Sequence, residues 1–176
     1  MEYPFEYSIW LLPTVAQEQS LLQTITGLTQ SLGGTVFEPH VTLQGDLAFP
    51  LEELSRLCEA LAERVVVQRW RVQQVENSDH FFRCLYLRYG NEAGFDALQG
   101  AAQAFTKTAQ GLSPFPHLSL AYGQQSPEYV NARASLSKTF VGHEIIFDRL
   151  AVNRSSKNVP IAAWQSLTEY PLRQET

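Results

Sequence analysis

The spacing of apolar positions predicts an irregular alternation of strands and helices. Phe5–Leu12 is aromatic and apolar and stops at Pro13, as a strand does. Leu21, Leu22, Ile25, Leu28 and Leu32 recur at helical intervals within Gln17–Leu32, and Gly33-Gly34 terminates that run. A short strand follows at His40–Leu43, broken by Gly45-Asp46. In Leu51–Arg64, Leu54, Leu57, Cys58 and Leu61 share a helical face. The β-branched and aromatic runs Val65–Val75 and Phe81–Tyr89 flank the turn-rich segment 76–79, a hairpin pattern. A third helix is expected over Phe95–Thr108, with Phe95, Leu98, Ala102 and Phe105 on one side. His117–Tyr122 reads as a strand, Ser126-Pro127 opens a fourth helix, and Glu144–Asn153 and Ile161–Leu167 close the chain as strands. This order favours an α+β fold with antiparallel sheets over a doubly wound parallel one.

Composition narrows the reading. With 176 residues, no Pro/Ser/Gly-rich linker and 44% hydrophobic residues, residues 1–176 are expected to form a single domain. A net charge of −5 argues against a protein that grips long nucleic acid by its phosphates, but leaves room for a small anionic ligand in a local pocket. No apolar run is long enough for a membrane span. Phe5–Val15 carries Glu6 and has no basic n-region, which makes a poor signal peptide, so Asn153-Arg154-Ser155 reads as a chance glycosylation pattern. Cys58 and Cys84 make neither a disulfide framework nor a zinc site, and a reducing, cytoplasmic compartment is expected.

The chemistry is carried by a short repeat, one copy in each half. Phe37-Glu38-Pro39-His40-Val41-Thr42-Leu43 recurs as Phe115-Pro116-His117-Leu118-Ser119-Leu120. The strand period of two puts His40 with Thr42, and His117 with Ser119, on one face, and the intervening aliphatic residues on the other. If the halves pack about an approximate two-fold axis, two imidazoles and two hydroxyls meet across a cleft. Imidazole moves protons near neutral pH, so such a pair can divide acid and base work. The hydroxyls can donate to the non-bridging oxygens of a phosphoryl group. That scheme needs no cofactor and no metal. A lone strand histidine is usually structural or solvated, the reading given to His80 and His143. A matched pair with matched hydroxyls argues otherwise. A zinc site is the alternative, but it lacks a third ligand and HExxH spacing. P-loop, GxGxxG and GxSxG patterns are missing.

The paired His-x-Thr and His-x-Ser motifs resemble those of the two-histidine (2H) phosphoesterases, and within them the cyclic phosphodiesterases of plants and yeast. Tyr7-Ser8-Ile9-Trp10-Leu11-Leu12-Pro13 resembles that family's first strand, and the segment from Phe81 to Leu87 its central hairpin strand. Pro116 to Tyr122 is similar to its second motif, and Arg149 to Val152 with Trp164 to its closing hairpin. The likeness is loose between Asn91 and Pro116, where the family carries a mobile loop.

The resemblance implies two lobes, each on a small antiparallel sheet with outer helices, related by a pseudo-two-fold axis around a central cleft. It implies His40 and His117 as the catalytic pair, Thr42, Ser119 and Tyr122 as phosphate ligands, and Trp10 and Phe82 beside the nucleoside, where a base could stack on a ring face. Trp10 and Phe82 could equally be core residues of their strands, and Tyr122 could cap a strand end. The implied reaction is hydrolysis of 2′,3′-cyclic nucleotides to 2′-phosphates and of ADP-ribose 1″,2″-cyclic phosphate to the 1″-phosphate. Processing of RNA ends or 2′-5′ oligonucleotides, and a non-catalytic nucleotide-binding module, stay open as alternatives. The expected partner is a small cyclic nucleotide, with no membrane and no long nucleic acid.

Overall fold

Tyr7–Pro13 forms the first strand, β1, in the computed structural model, which describes residues 4–176. Pro13 ends it, and the Thr14 hydroxyl accepts from the Gln17 N–H to start helix α1 (Val15–Leu32). Gly33, at φ 85°, closes α1 with its N–H on the Thr29 carbonyl. There follow β2 (Val41–Leu47), α2 (Leu51–Ala62), β3 (Gln68–Asn77), β4 (Leu85–Tyr89), α3 (Ala93–Thr106), β5 (His117–Ala121), α4 (Pro127–Phe140), β6 (Glu144–Arg154) and β7 (Gln165–Pro171). Pro127 sits in the first turn of α4 behind Ser126, where its missing N–H costs nothing. No helix among the described residues is long and apolar enough to cross a membrane.

The strands pair antiparallel in the order β2-β1-β6-β3-β4-β5, with β7 beside β6. The two expected sheets are joined through β3. Its first residues, Gln68–Arg71, pair with β6, and the rest, Val72–Asn77, pair with β4 and so lead to β5. β3 and β7 follow one another along the same edge of β6. The α+β class and the two-lobed antiparallel arrangement are therefore those expected, in one strongly curled sheet. Helices lie outside: α2 on β6 and β7, α4 on β3, α1 on β5 and α3 on β2.

Four local expectations change. β2 is not broken at Gly45-Asp46, because the register with β1 shifts there and the strand absorbs the turn residues as a bulge opposite Ser8. Phe81–Arg83 is a 3-10 turn rather than strand, capped by His80, whose Nδ1 accepts from the Phe82 N–H. Ile161–Ala163 is likewise a 3-10 turn, and strand pairing begins only at Gln165. On α3 the buried face is Phe95, Leu98, Ala102 and Thr106, while Phe105 is 38% exposed against Phe49. One residue of helical rotation, about 100°, separates positions 105 and 106.

The core lies between the helices and the convex face of the sheet. Ile9, Leu11, Val41, Leu43, Leu118 and Leu120 are all fully buried in it. The residues that alternate with Val41 and Leu43 along β2 are thereby turned toward the concave side. Cys58 and Cys84 are free and buried, and burial pushes the Cys58 thiol up to about 12.

Candidate active site

His40 stands one residue before β2, and His117 is the first residue of β5. Both side chains border one cavity of about 290 Å³, which Thr42, Ser119, Tyr122, Trp10 and Phe82 also line. The fold thus gathers all seven residues singled out from the sequence, from β1, β2 and β5, the residues flanking β2 and β5, and the 3-10 turn before β4.

The repeat has a structural counterpart at each histidine. His40 Nδ1 lies 2.6 Å from the Glu38 carbonyl oxygen, and His117 Nδ1 lies 2.9 Å from the Phe115 carbonyl oxygen. A carbonyl only accepts, so each Nδ1 carries the hydrogen and each Nε2 keeps its lone pair. The prolines between, Pro39 and Pro116, hold the preceding residue extended and present that carbonyl to the ring. Ser113 Oγ adds a contact of 3.3 Å to His117 Nδ1.

Both rings are buried. Burial pushes His40 down to about 3, with the nearby His117 acting in the same direction. Burial likewise pushes His117 down to about 4, helped by the positive charges of Arg83 and Arg88. In the free protein both imidazoles are therefore neutral at pH 7.

The hydroxyls differ in their present partners. Ser119 Oγ donates to the Phe82 carbonyl at 2.8 Å, whereas Thr42 stands half-buried at the cavity wall. Tyr122 stacks on Phe37 with centroids 3.7 Å apart, and burial raises its pKa, keeping the phenol protonated. The aromatics depart most from expectation. Trp10 is 2% exposed and lies face to face with His40, with Trp164 against its edge, so it offers no open ring face for a base. Phe82, in its 3-10 turn, is half-buried and stacks on Trp164 at 6.0 Å.

Residues the sequence did not single out complete the cavity: Trp164 beside Phe82, Arg83 near His117, and Ser8, Asp46, Ser155 and Lys157 on the side of the first lobe. Ser8, Arg83 and Trp164 lie in segments that carry the family resemblance, but none of these residues belongs to the histidine repeat that drew attention to the site. The segment leading to the second histidine is tied to the strand carrying the first. Gln44 Nε2 donates to the Thr108 and Gln110 carbonyls, Gly45 N–H to Gly111 and Ser113 N–H to Leu43. The expected likeness to a mobile loop thus falls on a chain segment anchored to β2.

No family model matches the chain, and no curated protein matches it either. Solved structures do. TT0787 of Thermus thermophilus superposes with a TM-score of 0.63 at 16% identity, covering 97% of this chain and 100% of that one. LigT of E. coli, in apo form, superposes with a TM-score of 0.59 at 13% identity, covering 99% and 100%. A structure described as a phosphoesterase superposes with a TM-score of 0.59 at 14% identity, covering 97% and 100%. These are members of the 2H phosphoesterase superfamily. The chain has the 2H phosphoesterase fold. The likeness runs nearly the whole length of both partners.

Proposed function

We propose that this protein is a phosphodiesterase that opens small 2′,3′-cyclic nucleotides to 2′-phosphates, and ADP-ribose 1″,2″-cyclic phosphate to the 1″-phosphate, with His40 and His117 as acid and base. The observation that carries this reading is the matched pair: two buried imidazoles on one cavity, each with Nδ1 on a carbonyl two residues back and a hydroxyl two residues on.

In the proposed reaction a cyclic phosphate sits between the rings, with Thr42, Ser119 and the Tyr122 phenol donating to its non-bridging oxygens. One imidazole, through Nε2, takes a proton from water as the water oxygen bonds to phosphorus. The P–O bond to the ribose 3′ oxygen breaks, and the other ring, as imidazolium, protonates that oxygen. The two rings exchange protonation states, and loss of a proton from one and gain by the other restores the pair. The phosphate anion favours the imidazolium that burial disfavours in the free protein. Ser119 turns its hydrogen from the Phe82 carbonyl to the substrate. The half-buried Phe82 and Trp164 form the aromatic wall available to a base, while Trp10 serves His40. LigT, a neighbour in fold, has been solved with 3′-AMP and with phosphate, which supports a small phosphorylated ligand here.

The test is hydrolysis of 2′,3′-cyclic AMP, CMP, GMP and UMP in EDTA, with product position read by phosphorus NMR. Turnover to the 2′-phosphate, reduced about 10²–10⁴-fold by either His40→Ala or His117→Ala, is the expected result. Activity lost to the chelator and restored by zinc would replace this reading with a metal site. Stoichiometric binding without turnover, on these substrates and on ADP-ribose 1″,2″-cyclic phosphate, would replace it with a binding module.

A further inference from the structure

One end of the cavity is lined by hydroxyls that the proposed chemistry does not use. Ser155 is 1% exposed, borders the cavity, and its Oγ has no hydrogen-bond partner among the described residues. Beside it, Ser8 Oγ donates to the Ser155 carbonyl at 3.1 Å, which leaves its own lone pairs open. Asn153, across from Ser8 in the β1–β6 pairing, is also 1% exposed, and its Oδ1 is unpartnered among the described residues. Buried polar atoms of this kind are rare without a function or a bound group.

Their position follows from the strands. Ser8 shares a face of β1 with Trp10, two residues along, about 7 Å from the row that carries Thr42. That is the reach from a phosphate across a ribose to its far substituents. The space is kept open by Gly45, where a Cβ would stand 3.1 Å from Ser8 Oγ. Next to it, Asp46 holds a left-handed backbone, φ 52°, fixed by the Lys157 N–H on its Oδ1 at 2.9 Å and by Gln110 on its carbonyl. The Lys157 ammonium stands 3.8 Å from the same carboxylate, so the charges at this end cancel. Ser8, whose hydrogen is committed, thus offers lone pairs to a neutral donor, and the Ser155 hydroxyl is free both to accept and to donate, while Lys157 at this end is paired with Asp46.

We propose that this serine-lined end is a subsite for an uncharged hydrogen-bond donor of the substrate, the ribose 5′-hydroxyl or a base amine, with Ser155 as its specificity-determining residue. The proposal rests on the nucleotide reading above. It is tested on the intact chain by calorimetric titration of 2′-AMP and, separately, of inorganic phosphate into wild type, Ser155→Ala and Ser8→Ala. Ser155→Ala removes a hydroxyl that bonds nothing among the described residues, so folding is unaffected and the thermal midpoint holds. Weakening of 2′-AMP binding by about 5- to 20-fold in Ser155→Ala, with phosphate binding unchanged, is the expected result. Equal weakening of both ligands, or an unchanged 2′-AMP affinity, overturns the subsite. If wild type still hydrolyses 2′,3′-cyclic AMP, that failure leaves the phosphodiesterase reading standing; if wild type neither binds these ligands nor turns over, both fall. Repeating the titration with 5′-deoxy and 6-deamino analogues identifies the donor, since the wild-type advantage over Ser155→Ala disappears with the group that makes the bond. An advantage that survives both removals overturns the proposal.

Discussion

The indole of Trp10 lies flat on the imidazole of His40, with ring centroids 3.5 Å apart and planes 7° from parallel. The Glu38 carbonyl holds the same imidazole at Nδ1, so rotation about both side-chain bonds is blocked. In the proposed mechanism Trp10 would therefore act through His40 as a positioning residue. Trp10→Leu is expected to lower kcat on 2′,3′-cyclic AMP by roughly 10- to 100-fold, the scale of a small misplacement of a reacting group, with little change in KM. Trp10→Phe, which keeps a ring against the imidazole, should recover most of the loss. A rise in KM at constant kcat would instead make Trp10 a substrate contact.

Burial sets the pH dependence of the reaction. The free protein holds His40 down to about 3 and His117 down to about 4, so the state with one ring protonated is favoured at acid pH. The bell in kcat/KM, which reports the free protein, should peak below pH 6. The bell in kcat should lie at higher pH, because the bound phosphate anion raises the pKa of the ring that acts as acid. Coincident bells centred near the ordinary histidine value of 6.5 would contradict this account.

The same shifts enter stability. In the unfolded chain His117 titrates at its ordinary 6.5, and in the fold at about 4. The unfolded state thus binds more protons between these values, and the contribution of His117, complete above pH 6.5, is lost as pH falls toward 4. Glu38 works the other way. Burial, then Glu18 and Glu169, push it up to about 7, so its contribution is complete below about 4.5 and is lost as pH rises through 7. Comparison with His117→Gln cancels Glu38. Between pH 7 and pH 5, wild type should lose about 2 kcal/mol more than the variant in urea unfolding.

Gly111 lies backbone to backbone against Gly45 of β2, whose N–H donates to the Gly111 carbonyl. It has φ 70°, and a Cβ there would stand 1.7 Å from the Gly45 carbonyl oxygen. Gly111→Ala should cost about 1–3 kcal/mol of stability from backbone strain and displace the segment that carries Ser113 toward His117. Activity should fall even at temperatures where the variant remains folded, measured by circular dichroism alongside turnover. Gly27→Ala, on an open face of α1 with nothing within 4 Å of its Cβ, serves as the control and should raise stability by about 0.5–1 kcal/mol while leaving turnover unchanged.

The chain's local pattern was enough to place the two histidines and their hydroxyls on one face of their strands. That follows from the strand period and from prolines that restrict their neighbours, both properties of consecutive residues. Most helices and strands were legible for the same reason, Leu21 with Ile25 and Leu118 with Leu120 among them. Glycine and aspartate at positions 45 and 46 misled because a bulge and a turn use the same residues, and only pairing with β1 distinguishes them. Tertiary structure alone decided that β3 is shared by both lobes, that Trp10 covers His40 rather than a base, and that Ser155 meets the cavity. Each depends on the register between strands far apart in sequence and on the curl that register imposes, and no local spacing encodes which distant face a side chain will meet.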